Sequence, residues 1–174
     1  MLYPNTARRA RKLLQIPDFP IGVLGAICPH INEKDGQMNI EQIARDFFEA
    51  CETGGGWAAC KAFCHAGASF ACQADALVET TTLEGYAEWM KGLLGPIPDG
   101  RYDLTAFAVD GDRSTVVATA VFHGTQTGVG GPGEPTGKPV ASDCAYVMCF
   151  DGDRIAHMTK IWNDAQALRQ LGWA

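Results

Sequence analysis

No stretch of this 174-residue chain approaches the roughly 18–20 consecutive apolar residues that span a bilayer. The apolar run Ile21 to Cys28 is short and lies too deep for an ordinary signal peptide. A soluble, cytoplasmic protein without a membrane partner is therefore expected. Cationic excess is also missing. Lys and Arg total 14 against 20 Asp and Glu, a net charge of -6. Nucleic-acid binders usually carry a basic footprint, so no nucleic-acid partner is expected. Six glycines crowd residues 124–139, but no Gly-Lys-Ser/Thr follows them, which argues against a phosphate loop. Cys-x-x-Cys spacing is absent as well. The seven cysteines are odd in number and read as reduced thiols. Cys60, Cys64, His65 and Cys72 form the densest group, and buried thiols explain it better than a metal site. No metal and no other cofactor is expected.

What is present suits one globular domain. Hydrophobic residues make up 47% and charged residues 20%, enough apolar material for a core. Residues 1–38 read as an irregular extension, because prolines at positions 4, 17, 20 and 29 interrupt any long element. Its basic cluster, Arg8, Arg9, Arg11 and Lys12, reads as an arm lying over the domain or a dimer partner. The domain proper spans 39–174.

Helices come first. Ile40, Ile43, Ala44, Phe47, Phe48 and Cys51 recur at helical spacing, with Asn39 as cap. Trp57 to Cys64 predicts a short second helix. Thr81 with Glu84 predicts a capping box for a third, stopped by Gly95-Pro96. Four strands follow: Tyr102 to Val109, Arg113 to Thr125, Lys138 to Phe150, and Arg154 to Trp162. Asp110-Gly111 and Asp151-Gly152 supply hairpin turns. Asn163 or Asp164 caps a last short helix. The segment Gly124 to Pro139 predicts a long hairpin loop that serves as a lid or an interface element. The expected class is α+β, a curved antiparallel sheet packed against N-terminal helices, with a cavity between the layers.

The helix Ile40-Glu41-Gln42-Ile43-Ala44-Arg45-Asp46-Phe47-Phe48 precedes an apolar helix and the strand meander. The chain closes with Phe150-Asp151-Gly152-Asp153-Arg154-Ile155, then Ile161-Trp162-Asn163-Asp164, then Leu168-Arg169-Gln170-Leu171-Gly172. Over residues 39–174 this resembles the SnoaL-like polyketide cyclases of the nuclear transport factor 2-like superfamily. The resemblance implies a cone-shaped fold and cofactor-free acid/base chemistry in an apolar pocket. It implies a cyclase, isomerase or dehydratase acting on a small hydrophobic carbonyl or polyketide-like compound. The alternative is a non-catalytic binding protein for a hydrophobic metabolite. A homodimer using the outer sheet face is expected too. Such cyclases carry a His-Trp-Asp-type motif on the last strand, whose Asp is the acid/base. The matching stretch here is Met158-Thr159-Lys160, so the Asp position holds Lys160.

Strand alternation sorts the candidate replacements. Ala156, Met158, Lys160 and Trp162 share the face that the resemblance turns inward. Among apolar neighbours Lys160 could act as a base or an imine-forming amine; otherwise it pairs with a carboxylate or snorkels to the rim. Asp143 is a partner for Lys160, the acid/base itself, or a solvent-face charge. Tyr146 has the opposite parity to Asp143, and facing inward it could donate to an oxyanion. His123, where the Gly-rich loop opens, could exchange protons or hold structure. Trp57, Phe63, Tyr86, Trp89, Met158 and Trp162 are the expected apolar lining or, equally, plain core.

Overall fold

The computed structural model describes residues 40–174. The expected cap Asn39, the basic cluster and the extension lie outside the described residues. Helix α1 (Ile40–Glu52) turns Ala44, Phe47, Phe48, Cys51 and Glu52 inward. The two phenylalanines are each worth roughly 1.5–3 kcal/mol of burial. Helix α2 (Gly56–Cys60) and one 3₁₀ turn lead into strand β1 (Cys64–Cys72). Helix α3 (Leu83–Leu93) is capped by Thr82, whose hydroxyl accepts from the Gly85 amide at 3.1 Å, one residue later than expected.

Strands β2 (Arg101–Asp110), β3 (Thr115–Thr125), β4 (Pro139–Asp151) and β5 (Arg154–Trp162) form the expected antiparallel meander. The sheet order is β1-β5-β4-β3-β2. Its fifth member, β1, runs parallel to β5, so the sheet is mixed and not wholly antiparallel. The expected second helix ends early for the same reason. Cys-His-Ala-Gly-Ala-Ser-Phe-Ala-Cys has no β-branched residue, so its composition gives little strand signal; its pairing with β5 makes it a strand.

Two extra residues bend the meander. Thr105 is unpaired opposite β3, and Ala156 is unpaired opposite β4. Such bulges increase local twist. The β4–β5 turn consists of Gly152 and Asp153, with φ +59° at Gly152, a geometry that glycine adopts without strain. Helices α1 and α3 cover the inner face in one contiguous core with Tyr86, Tyr146, Met148, Phe150 and Met158. Helix α4 (Asp164–Leu171) is capped by Asn163. The Gln170 side chain bonds both the amide and the carbonyl of Ala141, which straps α4 to β4.

Residues 126–138 are irregular but anchored. Gln126 is fully buried, its amide nitrogen donating to the Gly128 carbonyl and its oxygen accepting from the Thr136 amide. The Gly128 amide donates to the Pro96 carbonyl at 3.0 Å. A Cβ at Gly128 would lie 1.9 Å from the Gly95 carbonyl oxygen, a clash with backbone. Among the described residues no helix is long and apolar enough to cross a membrane. Gly128→Ala is expected to lose about 1–3 kcal/mol in urea unfolding. Gly133→Ala, where a Cβ meets nothing within 4 Å, should leave the midpoint unchanged.

Candidate active site

Helical spacing puts Ala44, Phe48 and Glu52 in four-residue steps along the buried stripe of α1. Glu52 is thus a carboxylate delivered into the core, 2% exposed. From the opposite side β5 delivers Lys160, 3% exposed, on the face that the resemblance turned inward. The ammonium nitrogen lies 3.8 Å from Glu52 Oε2. Two phenols complete the arrangement. Tyr86 of α3 donates to Glu52 Oε1 at 2.6 Å, and Tyr146 of β4 donates to Oε2 at 2.8 Å. Lys160 Nζ donates to the Tyr86 oxygen at 2.8 Å. The Tyr86 hydroxyl therefore receives one hydrogen bond from the amine and gives one to the carboxylate.

Aromatic rings surround the amine. Nζ is 5.1 Å from the Tyr86 and Tyr146 ring centroids, 5.5 Å from Trp162 and 5.8 Å from Tyr102. Ring faces are electron-rich, so each attracts a cation. These rings are fixed by their own neighbours. Phe70 stacks on Tyr86 at 4.4 Å, and Phe48 meets Tyr146 edge-on at 5.1 Å. Ser142 accepts from Trp162 Nε1 at 3.0 Å.

Lys160 borders a cavity of about 130 Å³. Its apolar walls include Trp89, Leu93, Ile97, Phe122 and Leu168, with Tyr102 and Trp162 beside the amine. Trp173 lines it as well, and its buried Nε1 has no acceptor among the described residues. The Cys144 thiol on the wall has its pKa raised by burial, so it stays protonated near neutral pH.

Lys160 and Tyr146 thus meet at one point, the Glu52 carboxylate. The other two candidates do not reach it. Asp143 is exposed on the outer face, opposite Val121. His123 is on that same face, 3.2 Å from Asp103. Pairing register explains both, since odd-numbered residues of β3 and the stretch 141–147 of β4 face outward. Of the expected lining, Trp89 and Trp162 border the cavity and Tyr86 backs its floor. Met158 is core, and Trp57 of α2 and Phe63 pack against that core and do not line the cavity. Ala156 does not share the inward face. It is the bulge residue, so Ile155 turns inward and is fully buried. Glu52, Tyr102 and Trp173 are further site residues. The sequence signal for Glu52 is an acid on the apolar stripe of α1.

Outside the cavity, an open depression of about 1000 Å³ runs along β1 and β5. There Ser69 Oγ lies 2.8 Å from His157 Nδ1, and His157 Nε2 lies 2.9 Å from Thr159 Oγ1. Hydroxyls hold both ring nitrogens, so no carboxylate orients this histidine as a base. Among the described residues no group of three or more His, Cys, Asp or Glu side chains could hold a metal ion. Cys51, Cys60, Cys64, Cys72 and Cys144 are free thiols. Cys149 departs from the expectation of reduced thiols, being disulfide-bonded, and Cys28 lies outside the described residues.

At an effective dielectric near 20, the Lys160–Glu52 attraction is about 4 kcal/mol. Desolvation opposes it by several kcal/mol per ion. Breaking the pair leaves one buried charge alone. Glu52→Gln should therefore destabilise by about 3–5 kcal/mol, and Glu52→Leu with Lys160→Met should recover most of that loss. Burial, and then the Glu52 charge, push the Tyr86, Tyr102 and Tyr146 phenols well above their ordinary 10.0. Above pH 10 the unfolded chain has lost phenol protons that the folded chain keeps, so stability falls as pH rises. In an alkaline titration these three phenolate absorbances should appear together with loss of tertiary circular dichroism, not before it.

A family model described as SnoaL-like polyketide cyclase matches residues 42–171. Among solved structures, IdmH from Streptomyces antibioticus, described as a candidate polyketide cyclase, is similar at 18% identity with a TM-score of 0.65. That match covers 78% of this chain and 99% of IdmH. A candidate polyketide cyclase from Acidithiobacillus ferrooxidans is similar at 22% identity and TM-score 0.62, covering 81% of this chain and 99% of that one. A protein from Catenulispora acidiphila with a ketosteroid isomerase-like fold, in complex with trimethylamine, is similar at 21% identity and TM-score 0.58, covering 76% and 94%. No curated protein matches. These neighbours share the α+β cone, and the family match over residues 42–171 makes this chain a member of the SnoaL-like polyketide cyclase family.

Proposed function

We propose that this protein catalyses a cyclase-type reaction on a small apolar carbonyl compound, through removal of a proton next to the carbonyl. The observation that carries this reading is the floor of the cavity, where one amine is linked through Tyr86 to a buried carboxylate. Lys160 is the reacting group. Tyr86 passes protons between Lys160 and Glu52, and Tyr146 holds the second Glu52 oxygen. The apolar walls exclude water, which strengthens every charge interaction inside. Isomerisation and dehydration start from the same proton removal, and ring closure is the outcome that family membership favours.

A mere container for an apolar metabolite gains nothing from a buried ion pair, which apolar residues of similar volume often replace without loss of stability. The cavity size supports a compact substrate, because about 150 Å³ of apolar space holds a benzene-sized molecule. A substrate oxygen would also satisfy Trp173 Nε1. Exposed Val117 and Ile161 on the outer sheet face support the reading of a homodimer.

A panel of small apolar mono- and diketones tests the proposal by turnover. Lys160→Met should lower kcat by roughly 100- to 10,000-fold with little change in KM. If wild type binds members of the panel but transforms none, and Lys160→Met changes affinity alone, the protein is a binder and the proposal fails.

A further inference from the structure

Glu52 does not border the cavity; Tyr86 and Tyr146 stand on its two oxygens. Among the described residues no carboxylate lines the cavity. A substrate C–H therefore has no direct carboxylate base, and a free enolate would find few donors. What the cavity does present is a primary amine with a proton acceptor behind it.

We infer that Lys160 forms a covalent imine with the carbonyl carbon of its substrate, an aldehyde or ketone with a neighbouring C–H, so that carbon–carbon bond formation runs through an enamine. This inference rests on the proposed function only in placing a carbonyl compound in this cavity.

The steps balance. The Lys160 ammonium gives one proton to the Tyr86 oxygen while the Tyr86 proton moves to Glu52 Oε1, leaving a neutral amine and a carboxylic acid. The nitrogen lone pair attacks the carbonyl carbon, and the C=O π pair moves to oxygen. One amine proton shifts to that oxygen, giving a carbinolamine. The proton on Glu52 returns through Tyr86, the C–O bond breaks, and water leaves. The product is an iminium nitrogen and a Glu52 carboxylate, with the starting net charge unchanged. The iminium then takes up the electron pair of the adjacent C–H bond, whose proton passes through Tyr86 to Glu52. The resulting enamine carbon is the nucleophile for ring closure.

The aromatic cage suits this route. The same four rings that surround the ammonium also face the iminium, so the positive charge stays where its stabilisation already lies. A dry apolar cavity also slows hydrolysis of the intermediate.

Pentane-2,4-dione tests this in the full chain, because an amine converts it to a stable vinylogous amide that absorbs in the near ultraviolet. One equivalent should react, with a mass gain of one diketone less one water. Peptide mapping should place it on Lys160, at least about tenfold faster than on exposed Lys61, Lys91 and Lys138. Tyr86→Phe should slow labelling by roughly 10- to 100-fold with unchanged circular dichroism, because the relay loses its middle member. Lys160→Arg should abolish the adduct. Mapping on the wild-type chain decides the matter even if a variant fails to fold. Label spread over Lys61, Lys91 and Lys138 with Lys160 bare overturns the imine. If the diketone then still quenches tryptophan fluorescence saturably, the cavity remains a carbonyl site and only the covalent route falls. If it neither quenches nor labels, both fall.

Discussion

The buried pair of Lys160 and Glu52 is the constraint on which the rest of the site depends. Neither ion is stable in the core alone. Each hydrogen bond around them answers that problem: two phenols on the carboxylate, one phenol oxygen on the amine, four rings about the cation. The tyrosines are in turn gripped by Phe48 and Phe70. The polar centre is thus held by the same apolar contacts that join α1, α3 and the sheet.

That centre draws on four elements far apart in the chain. Glu52 ends α1, Tyr86 lies mid-α3, Tyr146 is on β4 and Lys160 on β5. Tyr146 and Lys160 are directly paired across the β4–β5 ladder, so the sheet register alone makes them neighbours. The bulge at Ala156 matters here. It lets Ile155 and Met158 both turn inward while keeping Lys160 and Trp162 on the inner face. At the other end of the cavity α4 and Trp173 supply apolar cover, and Gln170 fixes α4 to β4.

Helix periodicity, the four meander strands and the hairpin turns were legible because each depends on local pattern. Strand β1 was not, because its Ala, Gly and Ser composition has no preference that survives without a partner strand. Lys160 could be placed inward because the resemblance chose between the two faces of the last strand, whereas the direction of Tyr146 stayed open. Asp143 and His123 were harder, because parity on β3 and β4 sorts residues into two faces without saying which face is covered. Cavity-lining residues were overcounted, since an inward aromatic serves the core and the cavity equally in pattern. Trp57, Phe63 and Met158 belong to or pack against the core, and of the expected lining Trp89 and Trp162 border the cavity.

The sequence by itself determined the α+β class, the family, and the replacement of the usual last-strand acid by Lys160. The class follows from periodicity, which acts over a few positions, and the other two from the resemblance carried by residue order. Only the tertiary structure decided what surrounds Lys160. Its partner Glu52 is more than a hundred residues away, and Tyr86 and Trp162 meet it from different layers. A carboxylate on an apolar stripe shows that something must compensate its charge. Which cation does so is fixed when helices and sheet close on one another.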